Sequence, residues 1–192
     1  MMTDEELLVA IGKRAAIAET RTDYAKTRPR KVAPPATQEL IGNTERELGF
    51  PLYPFHRRLF EAVGNGGFGP GDGLIGTAGG ALDVEGRSLS ELRRALWPDS
   101  HLKVVPLCDW GDGIWACIDV VTGAVLTMSE FGLMDTDQSF HCWFEQWIDG
   151  ASLWHQMVIL EDTRIQNPRT REWITVAGVK GMKGKPYDQG KQ

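Results

Sequence analysis

The chain has 192 residues, 42% hydrophobic and 24% charged, enough for one domain with a real core and ordinary for a soluble protein. No apolar run approaches the roughly 18 residues of a membrane span and Met1 opens no secretory leader, so no membrane partner is expected. An odd count of three cysteines without close pairing points to a reducing cytoplasm, and the net charge of −5 disfavours direct contact with nucleic acid.

Thr3-Asp4-Glu5-Glu6 is a capping-box pattern, and Leu7, Leu8, Ile11 and Ala15 follow at helical spacing, which predicts a helix over 4–19. Residues 21–36 are basic, hold three prolines and lack periodicity. They read as an extended linker, with a nucleic-acid-binding arm as the functional alternative. Thr37 caps a helix with Leu40, Ile41, Thr44 and Leu48 on one face and Gly49 at its end. Pro54 opens the next helix, where its missing N–H costs nothing, and Phe55, Leu59, Phe60 and Val63 carry it to about 64.

Gly64, Gly66 and Gly69 spell a literal G-x-G-x-x-G. A dinucleotide fingerprint needs a strand before it and a helix after it. Here a helix precedes, and Pro70, Gly71 and Gly73 bar one from following. The reading is therefore a compact turn into a short strand at 74–75. Residues 77–87 read as loop. Ser88 caps a helix with Leu89, Leu92, Leu96 and Trp97, which Pro98 stops.

Three short strands follow at 103–107, 114–120 and 124–129, and they organise the rest. Asp109-Trp110-Gly111-Asp112-Gly113 makes the first turn and Thr122-Gly123 the second. Along the middle strand Ile114, Ala116, Ile118 and Val120 form an apolar face; Trp115, Cys117 and Asp119 form a half-polar one. Residues 131–138 read as loop. Ser139 caps a last helix in which Phe140, Trp143, Phe144, Trp147, Ile148, Ala151 and Trp154 keep helical spacing, a stripe expected in the core. Residues 158–160 read as a short strand or that helix's end. Asn167-Pro168 signals a turn, and Trp173, Ile174 and Val176 signal a strand. The glycines and lysines from Lys180 suggest a disordered tail.

No residue pattern makes an active site. His56, beside Arg57 and Arg58, is placed on a solvated helix face and His101 in a loop. His141 and Glu145, four apart, form a surface pair. Cys108, Cys117, His141 and Cys142 fit no zinc spacing, so buried, unreactive cysteine is the default. Asp109, Asp112 and Asp119 lack the calcium-loop pattern, and turn chemistry accounts for the first two. Ser129 and Ser139 have no neighbouring base and no G-x-S-x-G occurs. No catalytic residue, cofactor or metal ligand is assigned.

Five segments in order carry a family resemblance. They are Ile41-x₃-Glu45-x₂-Leu48-Gly49-Phe50-Pro51-Leu52, Phe55-x₃-Leu59, Asn65-Gly66-Gly67-Phe68-Gly69-Pro70, Pro106-Leu107-x-Asp109-x-Gly111-x-Gly113 with Ile118-Asp119, and Phe140-x₃-Phe144-x₂-Trp147. This order resembles the SUKH superfamily, which includes a fungal regulator of cell-wall synthesis and many bacterial immunity proteins against polymorphic toxins, often nucleases. The resemblance implies a single α+β domain over 37–160, with helices on a mainly antiparallel sheet, and a binding protein rather than an enzyme. It assigns no binding residues. An N-terminal helix at 1–20, the linker at 21–36, and a hairpin with a basic tail at 161–192 lie outside it. They are open to a role as accessory element, contact with a second subunit in a homodimer, or tails of no function.

Charge supplies the functional expectation. Between 99 and 162 there are eleven acidic residues against one basic, Lys103; residues 12–35 hold seven basic against two acidic, and 163–192 again seven against two. The acidic body is either simply solvated or meets a basic partner. The first functional reading is an immunity protein that binds a basic toxin domain through Asp109, Trp110, Asp112, Glu130, Asp135 and Asp137. These sit in loops expected at one end of the sheet, with Trp110 as aromatic anchor or, equally, as a core residue. The second is a regulatory scaffold without a toxin partner, contacting through its basic tails. The third is an enzyme of unknown chemistry.

Overall fold

The computed structural model describes residues 1–98 and 100–188. Helix α1 (Asp4–Ala16) starts as its capping box requires: Thr3 N–H donates to Glu6 Oε2 at 2.8 Å and Glu6 N–H to Thr3 Oγ1 at 3.3 Å. It ends at Ala16, short of the expected 19, and buries Leu7, Leu8, Ile11 and Ala15. Helix α2 (Gln38–Leu48) runs from Thr37, whose hydroxyl accepts from Leu40 N–H at 3.2 Å, to Gly49 at φ 80. Helix α3 (Pro54–Ala62) begins on its proline, and α4 (Leu89–Leu96) on the Ser88–Glu91 capping box.

Residues 21–36 form no helix, as their composition predicts, but they are not a free linker. Thr22 bridges to Gly69, Asp23 Oδ2 accepts from Gly71 N–H at 2.8 Å, and Tyr24 Oη donates to the Trp110 carbonyl at 3.0 Å. The Arg30 guanidinium pairs with buried Asp72. Discrete side-chain anchors tie down a segment whose average composition looks unstructured.

The glycine-rich loop is buried and its amides are spent within the protein. Gly67 N–H donates to the Leu74 carbonyl, Gly69 N–H to Arg21, and Asp72 N–H to Asp109. None of these is left for a phosphate. Gly67 lies at φ 84, and a Cβ there would stand 2.2 Å from the Lys31 carbonyl oxygen. The strand expected at 74–75 is absent; Ile75 N–H donates to the Leu107 carbonyl at 2.9 Å and, with Asp72 N–H to Asp109, ties the loop to the first strand of the sheet.

The main sheet has β1 (Val104–Gly111), β2 (Ile114–Asp119), β3 (Ala124–Ser129) and β4 (Gly132–Ser139), all antiparallel neighbours. Every residue of β2 is buried, so both faces are covered and the face expected to be half-polar is interior. Asp119 is tolerated there because its carboxylate accepts from Val121 N–H at 2.9 Å and Thr122 Oγ1 at 2.7 Å. Strand β4 replaces the loop expected at 131–138. Its aspartates and partial exposure hide the strand in the sequence, and Asp137 at φ 56 sits beside a register shift at Val125 and Leu126.

Helix α5 (Phe140–Ile148) supplies the aromatic core. Phe140, Trp143, Phe144 and Trp147 are fully buried, with Phe140 and Phe144 edge-to-face at 5.1 Å. Each ring contributes about 1.5–3 kcal/mol by burial. The helix does not run to Trp154: Gly150 at φ 78 breaks it, and a separate helix α6 (Leu153–Met157) follows.

Strands β5 (Val158–Gln166) and β6 (Trp173–Met182) pair as a separate hairpin, with a turn at the expected Asn167-Pro168. The tail expected from Lys180 is ordered as far as it is described: β6 continues to Met182, and β7 (Lys185–Pro186) adds to the main sheet beside β4. The rest of that tail, 189–192, lies outside the described residues. Among the described residues no helix is long and apolar enough to cross a membrane.

Candidate functional site

The register of the sheet divides the six predicted contact residues. The β1–β2 and β3–β4 turns lie at one end and the β2–β3 turn at the other. Asp112 holds the tip of the first of these turns at φ 52, and Glu130 stands in the β3–β4 turn. Both are exposed, and both line a cavity of about 220 Å³ with Ile114, Phe131 and Val179. Neither side chain makes a hydrogen bond or ion pair among the described residues.

The other four are placed differently. Asp135 pairs with Leu126 in the body of β4 and lines a separate cavity with Asp119, Thr122 and Lys185. Asp137 lies 3.2 Å from Lys185 Nζ, so the chain's own tail stands over it. Asp109 is half-buried in β1 and accepts from Gly111 N–H at 2.7 Å; burial raises its carboxyl pKa despite that bond. Trp110 is 5% exposed, its ring 6.3 Å from Tyr24 and 6.1 Å from Trp154. It is a core residue and presents no anchor to a partner. The single exposed acidic face expected at one end of the sheet is therefore corrected: Asp112 and Glu130 meet there with exposed Phe131, Asp109 lies at the same end but half-buried in β1, and Asp135 and Asp137 lie away from it in β4.

His56 is also corrected. It is fully buried against Phe60 and Phe140, ring centroids 4.5 and 5.4 Å away, and neither ring nitrogen has a hydrogen-bond partner among the described residues. Burial lowers its pKa to about 3, so the imidazole is neutral. Adjacent helical residues point about 100° apart, so Arg57 and Arg58 face outward while His56 turns in. His141 stands 3.7 Å from both Glu145 and Asp4, the expected surface cluster enlarged by one member. Burial pushes the Cys108 and Cys117 thiols up, away from thiolate chemistry. Among the described residues no group of three or more histidines, cysteines, aspartates or glutamates could hold a metal ion.

Two further clefts border the 21–36 segment. One of about 560 Å³ lies between α1, the 21–36 segment and α3, beside Arg21 and Lys31. The Arg21 guanidinium is spent there on the carbonyls of Ala15, Ala16 and Arg30. The other, about 410 Å³, is lined by Asp23, Tyr24, Trp110, Trp154 and the α5–α6 turn. Sequence reasoning missed it, because Asp23 and Tyr24 lie in an apparent linker and Trp154 appears to continue the aromatic helix. A tyrosine embedded in a basic, proline-bearing segment was the one local signal.

No protein-family model matches the chain, and no curated protein matches it. The fold is a single-domain α+β one; the described residues form six helices and a mainly antiparallel five-stranded sheet.

Proposed function

We propose that this chain is a non-catalytic binding protein of the SUKH type that neutralises a basic, nuclease-type polymorphic toxin in the bacterial cytoplasm. The observation that carries the proposal is the pairing of exposed Asp112 and Glu130 with Phe131, 47% exposed, at one end of the sheet. A nuclease must be basic to hold its substrate, and two unpaired carboxylates offer that surface the charge of phosphates. Phe131, lining the same cavity, adds apolar contact beside the charged pair.

Co-expression with the toxic domain encoded beside this gene tests the proposal. Growth rescue with co-purification of the two proteins supports it. No rescue, or no such neighbouring domain, favours the regulatory scaffold instead. That second reading draws on the β5–β6 hairpin, which carries Trp173 at 62% exposure and exposed Ile159, Leu160 and Ile165. Such apolar side chains on a largely exposed hairpin suit an interaction arm. A pull-down with the hairpin intact and with Trp173→Ser would then identify its partner surface.

A further inference from the structure

The 410 Å³ cleft combines two features that point to one ligand chemistry. The first is aromatic. Tyr24, Trp110 and Trp154 present ring surface there, and Arg28 already lies 6.0 Å from the Tyr24 centroid, which shows that a guanidinium is accepted over that ring. The second is a carboxylate. Asp23 lines the cleft and has no ion-pair partner within 4 Å among the described residues, the Arg14 charge acting on it only from further off. Burial raises its carboxyl pKa against the lowering effect of the Gly71 N–H and the Arg14 charge, and a cation bound at contact distance would oppose that rise.

We infer that this cleft binds a cationic side chain, arginine or lysine, from a basic protein partner, held by Asp23 and the Tyr24 and Trp154 rings. The carboxylate opposes the charge and the rings take its face. The cleft adjoins the acidic end of the sheet, since Trp110 stands two residues before Asp112 on the same hairpin. The inference rests on the proposed basic partner and names the group that this partner inserts.

The test is an NMR titration of the whole chain with N-acetyl-arginine amide and its neutral isostere N-acetyl-citrulline amide. Arginine amide should shift the Trp110 and Trp154 indole resonances and the Gly150 amide, and citrulline amide should bind at least about tenfold more weakly. Asp23→Asn keeps the acceptor for Gly71 N–H but removes the charge, and should weaken arginine binding about tenfold. Trp154→Ala, at a half-buried position, should weaken it too and serves if Asp23→Asn does not fold. No shift at these residues, equal binding of the two amides, or wild-type affinity in a folded variant would overturn the inference. No toxin is needed, so the two proposals fail separately. Arginine binding without growth rescue removes the toxin reading; rescue without arginine binding removes the cleft.

Discussion

Replacing His56 with leucine should make the protein less sensitive to acid. The folded imidazole titrates near 3, whereas an unfolded histidine titrates at about 6.5. The unfolded chain therefore takes up the proton first. The neutral His56 is fully compatible with folding above about pH 6.5, and stability is lost as pH falls from there towards 3. Linkage gives a loss of about 2 kcal/mol between pH 7 and pH 5, and about 3 kcal/mol by pH 4. His56→Leu removes this contribution. It also exchanges two ring nitrogens, unpartnered among the described residues, for a side chain that suits Phe60 and Phe140, so stability at pH 7 should change little. Urea unfolding at pH 7 and pH 5, followed by tryptophan fluorescence, measures both quantities. Carboxylates titrate in both proteins, so the difference between them isolates His56. An equal loss of stability in variant and wild type would refute the buried, neutral imidazole.

Phe144→Ala should cost about 3–5 kcal/mol in the same unfolding assay, because the ring is fully buried among Phe140, Trp143 and Trp147. A cost below about 1 kcal/mol would put α5 at the surface. Gly67→Ala should cost more than about 1 kcal/mol, since it combines a left-handed backbone with a clash against the Lys31 carbonyl. A thermal melt unchanged from wild type would contradict the buried loop. Asp135→Lys with Asp137→Lys should leave the association rate with a basic partner near wild type in stopped-flow measurements, because these positions lie away from the Asp112 end. Slowed association would restore them to the binding surface.

What could be read from the sequence follows from how local each determinant is. Thr3, Thr37 and Ser139 fix helix starts through hydroxyls that bond the third residue on, and Gly49 fixes a stop through its own backbone, so those boundaries were legible. The core aromatics of α5 were legible because their spacing is helical, until Gly150 broke the helix. Strand β4 was not, because its hydrogen bonds come from β3 and β7 while its own side chains are polar and half-exposed. The anchoring of 21–36 was equally hidden, since Asp23, Tyr24 and Arg30 meet Gly71, Trp110 and Asp72 far along the chain. The candidate site shows the same divide. Asp112 sits in a turn that Gly111 and Gly113 announced and Glu130 at the start of an expected loop, but their union depends on strand register. Trp110 and His56 look polar-flanked in the sequence and are buried by packing that no local pattern records.

The central claim is that the acidic sheet end neutralises a basic toxin. Co-expression of the neighbouring toxic domain with wild type, with Asp112→Lys/Glu130→Lys and with Asp135→Lys/Asp137→Lys tests it most directly, scored by growth. The account predicts rescue by wild type and by the Asp135/Asp137 variant, and loss of rescue for the Asp112/Glu130 variant while it stays folded. Rescue by all three proteins would contradict the assigned surface, and rescue by none would contradict the toxin reading itself.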